Sequence, residues 1–359
     1  MALLAFGALL SCKRSTPNNI APVPSEKPAP APTPAPLPPI AAGFRLAAGE
    51  TSTCLIGVDR KLSCWGGQPI ASAKAKVVPG LEKVRQVAIA QKHVCALVEG
   101  GVVQCWGQNA KGELGNGSRS TATAPTLVAL PALATHVAAA GGTSCAALAD
   151  STVVCWGNGE QGQLGDPTVA DSDRPRRIGA LTGVVETAVG AFGHACARTS
   201  GGDVWCWGSN RFGQLGIGAG KDSPTPVRVE VKATRLVAGF AHTCVIAAGK
   251  VSCWGWNDEG ILGDGTTTDR SVPGFVSSLT DVTQLVAGDF HTCALKGPKE
   301  MWCWGRNTDG ELGDMSKARH LVPHGSAEPK GIAAVALGTM LSCVLLANEE
   351  THCWGRAPL

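Results

Sequence analysis

Tyrosine is absent from this 359-residue sequence, methionine occurs four times, and charged residues make up only 16%. Thirty-one Lys and Arg nearly balance 28 Asp and Glu, leaving a net charge of +3. That balance is too weak to imply a nucleic-acid partner or electrostatic attraction to a membrane surface. No phosphate loop, nucleophile elbow or metalloprotease helix motif occurs, and no two cysteines stand in a Cys-x-x-Cys pair. Long helical patterns are scarce as well. What the chain has instead is 46 glycines, 15 cysteines and a hydrophobic content of 44%. Such a composition favours many short strands joined by turns around a sizeable core. So many cysteines also suit an oxidising compartment.

The N-terminus reads as an export segment. Met1 to Leu10 is an apolar run without Lys or Arg, far too short to span a bilayer. Leu9-Leu10-Ser11-Cys12 resembles a bacterial lipobox, which implies lipidation at Cys12. Residues 15–39 hold ten of the 23 prolines, mostly alternating with alanine. Such a segment favours extended polyproline II and would reach about 80 Å. The expected organisation is a signal and lipobox segment at 1–12, a Pro-rich linker at 13–40, and a repeat domain at 41–359.

Cys-Trp followed by Gly occurs seven times, at Trp65, Trp106, Trp156, Trp207, Trp254, Trp304 and Trp354. A period near fifty residues indicates a propeller or another repeat array. Each period offers four short β-compatible segments. In the fifth, an apolar stretch ends in a glycine turn at Gly239, and His242–Ile246 and Val251–Gly255 flank a tight turn at Ala248-Gly249. A long polar loop then leads to a proline and the next apolar segment. Counted from each tryptophan, Gly lies at +6, Leu at +8, Gly at +9 and Pro at +19 in five repeats, with cores at Gly112–Gly115, Gly162–Gly165, Gly213–Gly216, Gly260–Gly263 and Gly310–Gly313. The glycines suit positive-φ turn positions, and the leucine is placed to plug its loop onto a blade. The first repeat lacks this core. The expected fold is all-β: one closed ring of seven four-stranded blades. The seventh repeat leaves room for a last strand, for which residues 37–42 are the candidate.

The run His-Thr-Cys-Ala-Leu followed by Val-x-Cys-Trp-Gly-x-Asn-x-x-Gly-x-Leu-Gly resembles the regulator of chromosome condensation repeat over residues 41–359. The resemblance implies a seven-bladed propeller. It implies no particular activity, because members include a nuclear nucleotide-exchange factor, a plant ultraviolet photoreceptor and a bacterial β-lactamase inhibitor. Two of those activities suit the chain poorly. No inserted wedge interrupts the repeats, and where the photoreceptor motif reads Gly-Trp-Arg-His-Thr this chain has Gly239-Phe240-Ala241-His242-Thr243.

Cys12 aside, the cysteines form seven local pairs across a hairpin turn. They are Cys54 with Cys64, Cys95 with Cys105, Cys145 with Cys155, Cys196 with Cys206, Cys244 with Cys253, Cys293 with Cys303, and Cys343 with Cys353. Eight residues intervene in the fifth pair, which fits a two-residue turn. Nine intervene in the others, which fits an odd-length loop such as Glu99-Gly100-Gly101. Opposed positions lie within disulfide reach. A zinc tetrahedron would be half filled by two cysteines on one hairpin, and reduced cysteines packed as small hydrophobes are the remaining alternative. Seven intra-blade disulfides are expected.

Catalysis finds little support. His93, His194, His242 and His291 each lie two residues before a cysteine, where the other repeats have Ser52, Thr143 and Leu341. A residue recurring once per blade is expected to be a structural hydrogen-bonder. No catalytic residue, metal ligand or cofactor is assigned, and the chain is read as a monomeric binding protein. Alternating strand direction puts the glycine turns and the long loops on one face. Phe192, Phe212, Phe240, Trp256 and Phe290 all fall there, in repeats four to six, as candidate anchors for a protein or glycan partner. The function expected is an envelope-tethered binding scaffold whose membrane contact is the lipid anchor, in the periplasm or at the surface of a bacterial cell. A purely structural envelope module and an enzyme with a site on the axis are the alternatives.

Overall fold

The computed structural model describes residues 45–356 apart from 277, 298–299 and 327–328. Each sequence period folds into antiparallel strands paired in chain order, and seven such sheets form a seven-bladed β-propeller. Blade five shows the plan, with strands Arg235–Ala238, His242–Ala247, Lys250–Gly255 and Arg270–Phe275 running from the axis outward. The innermost strands of all seven blades line an axial channel of about 700 Å³. Blades one to six have four strands and the seventh has three among the described residues. The segment at 37–42, expected to complete it, lies outside them, as do Cys12 and the Pro-rich linker at 13–40.

The hairpins explain the cysteine spacing. In blade five Ala247 pairs with Lys250 across Ala248 and Gly249, both at positive φ as a type I′ turn requires. In blade three Leu148 N–H bonds to the Thr152 carbonyl around a three-residue loop whose last member, Ser151, has φ 62°. Either turn places the two cysteines of a blade directly opposite each other. Their Cα atoms lie 4.0–4.1 Å apart, the close spacing of a non-hydrogen-bonded pair. All seven expected pairs are bonded, one in each blade. Cys54 is joined to Cys64, Cys95 to Cys105, Cys145 to Cys155 and Cys196 to Cys206. Cys244 is joined to Cys253, Cys293 to Cys303 and Cys343 to Cys353.

The +19 prolines explain the outer strands. Pro125, Pro175, Pro226, Pro273 and Pro323 all lie in the fourth strand of their blade. That strand is an edge, where a missing N–H breaks no ladder bond.

The core lies between blades. Leu114 from the long loop of blade two packs with Trp156, Val154 and Leu148 of blade three, and Leu262 of blade five packs with Trp304 of blade six. The Gly-x-Leu-Gly leucine thus plugs its loop onto the next blade. The same loop supplies a carbonyl to that blade's tryptophan: Trp156 Nε1 donates to Glu113 O at 2.8 Å and Trp254 Nε1 to Gln214 O at 2.9 Å. The ring closes between the first and last blades, where Leu46 packs with Ala334, Ala336 and Leu341. Arg45 is ion-paired with Glu349 across the same seam.

Candidate functional site

The glycine turns at the inner ends of blades four to six set the loop face. Gly190 and Gly239 have no side chain because the imidazoles of His194 and His242 fill that volume. The buried rings of His93, His194, His242 and His291 do not converge on the axis. Each Nε2 meets a hydroxyl of the next blade: Ser144 at 2.7 Å, Thr243 and Thr292 at 3.1 Å, and Ser342 at 2.8 Å. Burial pushes their pKa values down to about 4 for His93 and His194 and about 3 for His242 and His291. These are neutral, structural groups, as expected from their recurrence.

With the turns anchored in this way, the residue beside each glycine faces its neighbour in the next blade. Ala191 N–H bonds to Gly239 O at 3.2 Å and Phe192 N–H to Phe240 O at 2.8 Å. The five aromatic residues read from the sequence therefore meet in one strip. Phe192 lies 5.3 Å from Phe212 and 5.2 Å from Phe240 between ring centroids. Trp256 lies 6.4 Å from Phe212, 6.1 Å from Phe240 and 5.8 Å from Phe290, and Phe240 lies 5.7 Å from Phe290. The tilted and edge-on geometries are those aromatic pairs prefer. All five rings are half-buried, so the strip is held from below and open above.

Two cations went unnoticed in the sequence. Arg211 Cζ lies 5.6 Å from the Phe212 ring at one end of the strip, and Arg306 Cζ lies 5.5 Å from the Phe290 ring at the other. Both distances suit a cation–π contact. Arg306 is also ion-paired with Asp309 at 3.3 Å. Arg306 stands two residues after its tryptophan, where blade five has Trp256. That shared offset was the available signal.

The axis carries a polar group of its own. Gln86 Nε2 donates to Val137 O at 2.8 Å and lies 3.2 Å from His136 Nε2, while His136 Nδ1 lies 3.2 Å from Thr187 Oγ1. Arg198 Nε bonds to Glu186 at 2.7 Å, and Arg235 lies 3.5 Å from the same carboxylate. Burial holds His136 down at about 4. Apart from the Arg198–Glu186 pair inside blade four, these groups bond one another across neighbouring blades and tie the inner strands together.

Comparison with known proteins agrees with the repeat pattern. Residues 101–148, 150–197, 201–246, 248–295 and 300–345 match the regulator of chromosome condensation (RCC1) repeat, and a second form of that repeat matches 184–214 and 282–311. The chain belongs to the RCC1 repeat family. Each full match begins near one blade's hairpin and ends in the second strand of the next blade, so the sequence repeat straddles two blades. Among curated relatives, the Arabidopsis thaliana ultraviolet-B receptor UVR8 is 30% identical over 221 residues, covering 56% of this chain and 50% of that protein. The probable E3 ubiquitin-protein ligase HERC4 of Mus musculus is 35% identical over 228 residues, covering 60% of this chain and 21% of that protein. The chain thus spans half the length of the plant receptor and about a fifth of the mouse ligase. Among solved structures, human WBSCR16 superposes with a TM-score of 0.72 at 21% identity, covering 82% of this chain and 84% of that one. Prp20p of Saccharomyces cerevisiae, described with its binding to Gsp1p and histones, gives 0.72 at 20% identity, covering 88% and 82%. At such identities these two structures show the fold alone.

Proposed function

We propose that this RCC1-type propeller is a non-enzymatic binding scaffold of the bacterial cell envelope, tethered through a lipid on Cys12 and the Pro-rich linker at 13–40, that presents the aromatic strip to a protein or glycan partner. The observation that carries this reading is the strip itself. Five half-buried rings from three blades form one surface with an arginine at each end. Clustered aromatics and arginine are the groups that dominate binding hot spots, and aromatic faces also stack on sugar rings. The seven disulfides support an oxidising compartment. Prp20p, a propeller of the same fold, is described by its protein partners, which supports a binding role without naming a partner here.

The test uses Trp256→Ala and Phe240→Ala, with melting temperature and capture from a cell-envelope extract or a glycan array measured on the same preparations. A hot-spot ring costs more than about 1 kcal/mol of binding when truncated, at least several-fold in affinity. Lost capture at unchanged melting temperature supports the strip as the binding surface. Lower melting temperature with capture intact makes the rings internal packing, and the partner surface is then to be sought on the hairpin face or along the axis.

A further inference from the structure

The outer rim of blade six holds a second constellation, unconnected with the aromatic strip. In four of the five regular loops the residue ten positions after the tryptophan is an Asn or Asp whose side-chain oxygen accepts a backbone N–H two residues on; blade four has Ile217 there. In blade five this is Asp264, whose Oδ1 accepts from Asn257 Nδ2 at 3.3 Å and Thr266 N–H at 2.9 Å, while Oδ2 lies 2.7 Å from Arg270 Nη2. Blade six repeats the first half of this arrangement. Asp314 Oδ1 accepts from Asn307 Nδ2 at 3.0 Å and Ser316 N–H at 2.9 Å. The second half is replaced. Where blade five has Arg270 and Gly274, blade six has His320 and His324, and His320 Nε2 lies 2.6 Å from Asp314 Oδ2.

The exchange is a coupled one. Arg270 fits in blade five because Gly274 has no side chain; a Cβ there would collide with the guanidinium. In blade six both positions carry imidazoles, stacked 4.3 Å apart and 9° from parallel. Residues four apart in a regular strand are separated by about 13 Å. Here the register skips between Cys303 and Gly305, so that His324 pairs with Cys303 and His320 with Gly305. That bulge brings the two rings together. Ligand atoms of Asp314, His320 and His324 all lie within 4.8 Å of one another.

We propose that Asp314, His320 and His324 form a binding site for a divalent transition-metal ion of the zinc class. A guanidinium keeps its proton, so blade five can hold only an ion pair; an imidazole can surrender its proton and offer a lone pair. Two imidazoles and one carboxylate suit zinc and its first-row neighbours better than calcium or magnesium, which take oxygen ligands. The ion takes the place of the direct contact between His320 Nε2 and Asp314 Oδ2. Asn307 and the Ser316 amide hold the other carboxylate oxygen and set its orientation, as outer-shell partners do. His324 is exposed and the other two ligands are half-buried, so the site is reached directly from solvent. Three protein ligands leave a coordination position for water or for a donor from a partner.

The experiment titrates Zn2+ calorimetrically, and Co2+ by visible absorption, into the full chain with its disulfides intact and Cys12 alkylated. His324→Ala removes an exposed ligand. The double variant His320→Arg with His324→Gly copies the blade-five pair and keeps an ion pair on Asp314. The expected result is one ion per wild-type chain and a loss in both variants exceeding the roughly 10–100-fold cost of an outer-shell partner, at an unchanged metal-free melting temperature. The absence of stoichiometric binding to the wild type, or wild-type affinity in the double variant, overturns the proposal.

Discussion

Five imidazoles are sealed between blades or against the axis, and this makes folding sensitive to mild acid. His93, His136, His194, His242 and His291 are buried, and burial lowers each from its ordinary 6.5 to about 3–4. Below pH 6.5 the unfolded chain therefore binds protons that the folded chain excludes. The stability tied to these groups is complete above 6.5 and is lost progressively as the pH falls toward 3–4. Between pH 7.5 and 5.5 each histidine costs on the order of 1 kcal/mol, and the five together several kcal/mol. The window lies above the folded values, so the figure depends little on them. Typical domain stabilities are roughly 5–15 kcal/mol, so the loss is a large fraction of the whole. The assay is denaturant unfolding at half-unit steps of pH with the disulfides intact. His242→Gln should lower the pH slope by about half a proton on average between pH 7.5 and 5.5, approaching one proton only toward the acid end of that window, whatever it does to stability at pH 7.5. Equal stability at pH 7.5 and 5.5, or an unchanged slope in His242→Gln, would refute the argument.

Two further outcomes follow from the chain's covalent chemistry. Peptide mapping without reductant should recover the seven intra-blade pairs and no inter-blade link, and replacing Cys145 and Cys155 together by Ala should cost up to about 2.8 kcal/mol, the chain-entropy value for an eleven-residue loop; fourteen free thiols after secretion would contradict the pairing. Cys12→Ala should move the protein from the membrane fraction to the soluble fraction, and retention in the membrane would count against a lipid anchor.

The number of blades, the strand order within each and the disulfide partners were legible in the sequence because they are local. A Cys-Trp-Gly every fifty residues marks one hairpin per blade, and two- or three-residue turns leave a single antiparallel register for each cysteine pair. The face carrying Phe192, Phe212, Phe240, Trp256 and Phe290 followed from strand alternation in the same way. What joins one blade to the next was not legible. Ring contacts between Phe192 and Phe240, the bond from His242 to Thr292 and the seat of Leu262 against Trp304 link residues about forty to fifty positions apart. They depend on how far each blade is rotated against its neighbour, which a repeat period does not specify. The Asp314, His320 and His324 cluster was hidden for a different reason. Strand periodicity alone places the two histidines too far apart to share a ligand, and only the bulge opposite Cys303 and Gly305 brings them together.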